Sequence, residues 1–197
     1  MSRNVRGACA LYYSYQVKDA SGRIKVPFRR RTARSFLTAY ITWLYLKLIG
    51  ATTQSLTDTG GTPRNIHRNS IIDCNTASGT TTEGLVVGTG TNAVTINDSA
   101  LQTKIAHGST AGTLQYGASV VNLPSSDSTS TTLILTRPFS NASGGTITVR
   151  EIGIYASMGD AENSTNNRQL CIVRDTVTIA LSNGDVLTLN YILKTTA

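Results

Sequence analysis

The chain has 197 residues, a formal net charge of +7 and only 15% charged side chains, against a usual share of about 25%. That length buries a core without disulfide staples. Cys9, Cys74 and Cys171 are odd in number and form no C-x-x-C pair, which argues against a zinc or thioredoxin-like centre and reads as three buried thiols kept reduced.

The charge is lopsided. Residues 1–50 hold ten Lys/Arg and one acid, Asp19, whereas residues 51–197 hold eight Lys/Arg and ten acids. Such asymmetry marks an arm or a contact surface. The opening MSRNVR is basic with no apolar run behind it, so no signal peptide is expected.

Residues 8–30 predict a hairpin: ACALYYSYQV alternates, KDASGR turns, and IKVPFRR returns with Pro27 holding it to an edge. Arg29, Arg30, Arg31 and Arg34 then lead into a helix over 36–49, with Ser35 as cap and Gly50 as stop. Apolar residues occupy nearly every angle of this helix, so burial on all sides is expected, and one sandwich face cannot supply it. Phe36, Tyr40, Trp43, Leu44 and Leu46 are therefore the candidate assembly interface. Fourteen residues cover about 21 Å of a roughly 30 Å hydrocarbon core, so no membrane span is expected.

The arginines precede the positive end of that helix, where they oppose its dipole. Arg29, Arg30, Arg31 and Arg34 are accordingly assigned to an anionic partner, an acidic protein surface ahead of nucleic acid. ATTQSLTDTGGTPRNI follows as a polar, Gly/Pro-punctuated stretch.

From residue 84 the strand signals become regular: EGLVVGTG, NAVTINDSAL, LQTKIAHG, GTLQYGASVVNL, STTLILTRPFS, GTITVREIGIYAS, QLCIVRDTVTIAL and DVLTLNYILKTT. Polar turns separate them, and Asn183-Gly184 is a strong hairpin signal. The pattern predicts a mainly β protein. Its architecture is an antiparallel, jelly-roll-like β-sandwich (51–197) preceded by a basic hairpin and apolar helix (1–50).

Chemistry is sparse. Gly88-Thr89-Gly90 lacks the third glycine and following helix of a nucleotide loop and reads as a tight turn. His67 and His107 have no second ligand at metal spacing, and no G-x-S-x-G elbow occurs. Asp160 and Glu162 fall in a Gly/Asn-rich turn. Glu151 and Asp175 each adjoin an arginine, Arg150 and Arg174, and read as ion-pair residues. Asn141 and Asn163 begin glycosylation-type triplets but read as turn residues. No catalytic, cofactor or metal site is expected.

LVVGTGTNAVTINDSALQTKIAHG, GTLQYGASVV, LTRPFSNASGGTITVREIGIYAS, LCIVRDTV and NGDVLTLNYILKTTA, in this order over residues 84–197, resemble tailed-bacteriophage structural proteins of tail, neck and capsid-associated roles. The resemblance implies a non-enzymatic virion β-sandwich, made in the host cytoplasm, that works as a homo-oligomer beside other virion proteins. The competing expectations are a nucleic-acid-binding module led by residues 1–35 and a carbohydrate-binding sandwich.

Overall fold

A computed structural model of the chain describes residues 8–33, 36–50, 52–159 and 167–196. In chain order the elements are β1 (Ala8–Lys18), β2 (Ile24–Val26), β3 (Arg31–Thr32), α1 (Thr38–Ile49), β4 (Thr53–Thr57), β5 (Pro63–His67) and β6 (Gly84–Gly88). They continue with β7 (Gln115–Tyr116), β8 (Val120–Val121), β9 (Ser125–Ser126), β10 (Ser130–Ser140), β11 (Ile147–Gly159), β12 (Asn167–Leu181) and β13 (Val186–Thr196). The fold is a mainly antiparallel β-sandwich with an N-terminal hairpin and a single helix among the described residues. One sheet runs β2-β1-β13-β10-β7, with β3 on β1 and β8 and β9 on β10. The other is the narrow β12-β11-β6, and β4-β5 is a separate hairpin.

A single bent ribbon organises both sheets. β10 and β13 pair down to Ser140↔Val186, and β11 and β12 take over at Ile147↔Leu181. Both strands thus turn from one sheet to the other at the same level. The two corners grip each other: the Asn141 N–H donates to the Asp185 carbonyl at 2.9 Å and the Gly184 N–H to the Asn141 carbonyl at 2.7 Å. Asn141 is buried, its amide nitrogen giving bonds to the Gly145 and Leu181 carbonyls at 2.8 Å each. Asn183-Gly184, with Gly184 at φ 86°, therefore closes a corner between sheets, where the sequence predicted a hairpin. The β2 residue Lys25 reaches the buried Asp185 carboxylate there at 2.6 Å.

The expected boundary at residue 50 does not separate two cores. β1 pairs with β13 along its whole length, and its inward Tyr13, Tyr15 and Val17 join the same buried cluster as Leu187, Leu189 and Tyr191. The stretch 53–67, read only as polar, forms β4 and β5, with Leu56 and Ile66 buried. Conversely, the strands expected over 92–108 are absent apart from isolated bridges at Lys104 and His107. That segment instead drapes over the β11–β12 sheet. Its main chain is satisfied by side chains: the Leu101 N–H by the Tyr155 hydroxyl at 2.8 Å, those of Gln102 and Thr103 by Glu151.

Candidate assembly interface

Helix α1 begins two residues later than its apolar pattern. Phe36 bridges to Val173 on the outer edge of β12, and the Leu37 N–H donates to the Ile172 carbonyl at 2.9 Å. These residues are committed to strand pairing, so Leu37 is the N-cap, without a side-chain cap bond. Ser35 and Arg34 lie outside the described residues. The carboxyl end is closed by Gly50 in the left-handed region at φ 66°. Lys47 and Arg68 secure it. The Lys47 ammonium donates to the Ser70 carbonyl at 2.6 Å and to the Arg68 carbonyl, and the Arg68 guanidinium donates to the Gly50 carbonyl at 2.8 Å.

The helix is not buried all round. Ala39 and Leu46 are buried on the inner side, and Phe36, Tyr40 and Trp43 pack against the core as a stack, with ring centres 3.9 Å and 6.0 Å apart. The Trp43 indole N–H reaches the Ser70 carbonyl at 3.4 Å. On the opposite side Ile41, Leu44, Tyr45 and Leu48 are exposed, Leu48 at 77%. Their spacing of three, one and three residues makes one continuous stripe. The four stripe residues are uncharged, and the Lys47 ammonium is drawn toward the Trp43 ring and the Arg68 and Ser70 carbonyls.

Of the five residues expected at an intermolecular surface, only Leu44 is exposed, at 37%. Leu46 has no exposed surface and cannot touch a neighbour. Phe36, Tyr40 and Trp43 instead help line an apolar cavity of about 340 Å³ between the two sheets, together with Leu11, Leu133, Ile154, Ile172 and Leu193. The stripe residues were hidden in the sequence because every turn of the helix is apolar, so periodicity alone does not tell which side the sandwich takes. No helix of the described residues is long and apolar enough to cross a membrane.

Arg29 and Arg30 sit on the exposed connection between β2 and β3, and Arg31 lies in β3 beside Tyr13 of β1. They belong to the edge of the wide sheet, separated from the start of α1. The Arg30 guanidinium stacks 4.6 Å from the Tyr12 ring centre and that of Arg31 5.5 Å from Tyr15. Burial raises the Tyr13 phenol above its ordinary value, against the opposing pull of Arg31.

The buried polar groups hold structure together. Glu151, fully buried in β11, accepts the N–H groups of Gly90 (3.0 Å), Thr103 (2.7 Å) and Gln102 (2.9 Å), and pairs with Arg174 of β12 at 3.0 Å. Arg174 also meets Asp98 at 2.6 Å. The glycines of Gly88-Thr89-Gly90 are needed for close approach: a Cβ on either would lie 2.5 Å from a Glu151 carboxylate oxygen. Arg137, also fully buried, was not singled out in the sequence. Its guanidinium donates to the carbonyls of Gly117 (2.8 Å), Glu83 (3.1 Å), Leu85 (2.8 Å) and Thr80 (2.5 Å).

His67 and His107 each accept a main-chain N–H at Nδ1, from Asn69 and Tyr116. Cys74 and Cys171 are buried, and burial pushes the Cys74 thiol up to about 12, but Cys9 is exposed, contrary to expectation. Tyr191 donates to the buried Asp175 carboxylate at 2.8 Å. Among the described residues no three His, Cys, Asp or Glu gather as a metal site. Asp160, Glu162 and Asn163 lie outside those residues. Compared with protein-family models, curated proteins and solved structures, the chain matches none.

Proposed function

We propose that this chain is a non-enzymatic structural subunit of a tailed-bacteriophage virion and that it self-associates through the outer face of α1. The observation that carries the reading is the uncharged stripe Ile41, Leu44, Tyr45 and Leu48, left in solvent directly opposite the packed face of the same helix. Apolar side chains in such a row are characteristic of a surface that a partner covers. The partner is a second copy, because two identical uncharged stripes are self-complementary about a two-fold axis.

Several features support a structural role. The polar side chains withdrawn from water, Glu151, Arg174, Arg137 and Asn141, each serve as braces between segments. The polar, charge-poor strands suit broad contacts that do not desolvate many charges. The sequence stretches that resemble virion proteins cover parts of all four strands of the bent ribbon, β10 to β13. In this reading the exposed arginines meet an anionic neighbour in the particle.

The test is light scattering on the purified chain and on an Ile41→Glu/Leu48→Glu variant. The parent should be oligomeric and the variant monomeric, with a melting temperature within a few degrees, since both side chains are exposed. An unchanged oligomer would remove α1 from the interface. A parent that is monomeric at every concentration would remove self-association. Leu46→Ala, by contrast, should cost about 2–5 kcal/mol of fold stability, because that side chain packs inward.

A further inference from the structure

The two sheets differ in width, and the difference leaves one side of the sandwich open. The sheet containing β1 is five strands across along its main path, whereas its partner has three and ends at β12. The outer edge of β12 already works as a template for added main chain. Phe36 bridges to it at Val173, Leu37 donates to Ile172, and the Thr59 N–H donates to the Gln169 carbonyl at 2.9 Å. Among the described residues these contacts stop at Val173. Over Thr176–Ala180 no further strand pairs with this edge among the described residues, and Thr178 and Ala180 are exposed.

Opposite that free edge lies a cleft of about 360 Å³ lined by Tyr13, Tyr15, Arg31 and Thr176–Thr178. Arg31 is the register partner of Tyr13, whose side chain faces the core, so the two share the inner side of their sheet. Its guanidinium is thus held at the open side, over the Tyr15 ring. No carboxylate of the described residues lies within ion-pair distance of it. Arg29 and Arg30, both exposed, add positive charge along the same edge.

We propose that Thr176–Ala180 of β12 receives an extended segment of an acidic partner protein as a fourth strand, with a carboxylate of that segment seated on Arg31. Five residues of edge span up to about 17 Å, with an irregularity in register between Thr176 and Ile179 that the added strand has to follow. Main-chain bonds supply attachment, and the side chains that alternate inward supply selection. The inward side offers the Arg31 cation and the hydroxyl-bearing rings of Tyr13 and Tyr15, which fits an acid, and the neighbouring Asp175 carboxylate is buried and engaged by the Tyr191 hydroxyl. This deepens the part of the preceding reading in which the arginines meet an anionic neighbour, and it uses a surface separate from the α1 stripe.

The probe is a fluorescein-labelled heptapeptide of alternating valine and glutamate, with a valine–lysine peptide as its counterpart. Fluorescence anisotropy should show the glutamate peptide binding at least tenfold more tightly. Amide exchange should slow within Thr176–Ala180 on binding. Arg31→Gln should weaken binding about tenfold or more while leaving the melting temperature in place. Equal binding of both peptides, no binding of the glutamate peptide, protection elsewhere, or indifference to Arg31→Gln overturns the proposal. So does displacement of the peptide by a random DNA duplex that itself binds through Arg31. The Ile41→Glu/Leu48→Glu variant should bind the peptide as the parent does, so a failed α1 interface and a failed edge site give different results.

Discussion

The Glu151 carboxylate meets the Arg174 guanidinium at 3.0 Å between neighbouring strands β11 and β12, with both side chains withdrawn from solvent. Arg150, the neighbour of Glu151 in sequence, is not its partner. A carboxylate that already accepts three main-chain N–H groups and an arginine has little capacity left to take up a proton or hold a substrate. Its work is to bind the segment after β6 onto the narrow sheet.

Glu151→Gln keeps the shape but leaves Arg174 with Asp98 and the Asn92 carbonyl as partners and turns an acceptor oxygen into a donor facing N–H groups. Breaking a buried pair costs about 3–5 kcal/mol. The amide retains part of the bonding, so the expected loss is about 3 kcal/mol, a fall in melting temperature of about 6–12 °C for a chain of this size. Calorimetry of the purified variant measures it. A drop below about 2 °C would show that the charge of Glu151 is dispensable.

Arg137 gathers four carbonyls from Thr80, Glu83, Leu85 and Gly117 onto β10. Arg137→Met should fill most of the space and still destabilise, by about 3–5 kcal/mol, because buried carbonyls left without donors each carry a desolvation cost of about 1–3 kcal/mol. Arg137→Lys should fall between, keeping the charge without the fork. Denaturant unfolding of the three proteins orders them, and a methionine variant as stable as the parent contradicts this role.

What the sequence announced and what it concealed divide along physical lines. Long alternating strands such as β10 and β13 were legible because burial on one face imposes a period of two. NAVTINDSAL carried a similar alternation and is a loop. Its Leu101 is buried and its main chain bonds to Tyr155, a tertiary arrangement that no local pattern encodes. Asn183-Gly184 correctly marked a tight turn, but turn chemistry does not say whether the chain stays in one sheet. The β4–β5 hairpin was missed because only Leu56 and Ile66 are buried in it. Its signal was Asp58, whose carboxylate accepts the N–H groups of Gly60 and Thr62 at 2.9 Å each. Leu46 and Leu48 are the same residue type two positions apart, one wholly buried and one 77% exposed. Only the fold separates them.

Asp127 shapes the turn between β9 and β10, accepting from Thr129 N–H (2.7 Å) and its hydroxyl (2.9 Å), and from Ser130 N–H (2.7 Å) and its hydroxyl (3.0 Å). The main-chain N–H of Thr129 is the leading cause that holds its carboxyl down to about 2, from an ordinary 3.8. A depressed folded value means that the unfolded chain takes up the proton first. The turn's contribution is therefore complete above about pH 4 and fades as the pH falls through 2. Carboxyl carbon shifts followed by NMR should show that midpoint, and Asp127→Asn should remove the local transition. A folded-state midpoint near 3.8 would disprove the arrangement.

The remaining expectation concerns Arg29, Arg30, Arg31 and Arg34, of which the last lies outside the described residues. Arg30 and Arg31 are partly engaged by aromatic rings, and arginine stacked on a ring keeps its charge available to a second partner. Four phosphate contacts to duplex DNA would give a log–log salt slope of about −3.6. A protein strand held mainly by main-chain bonds and one carboxylate should respond to salt far less steeply. Binding to a random duplex should accordingly be weak and gone by about 0.15 M salt, the concentration at which charges more than about 8 Å apart are screened. The valine–glutamate peptide should still bind there. If instead the duplex stays bound at that salt with a slope near −3.6, and changing the four arginines to glutamine abolishes it, the arginine edge is a nucleic-acid surface. The acidic-partner assignment would then be wrong.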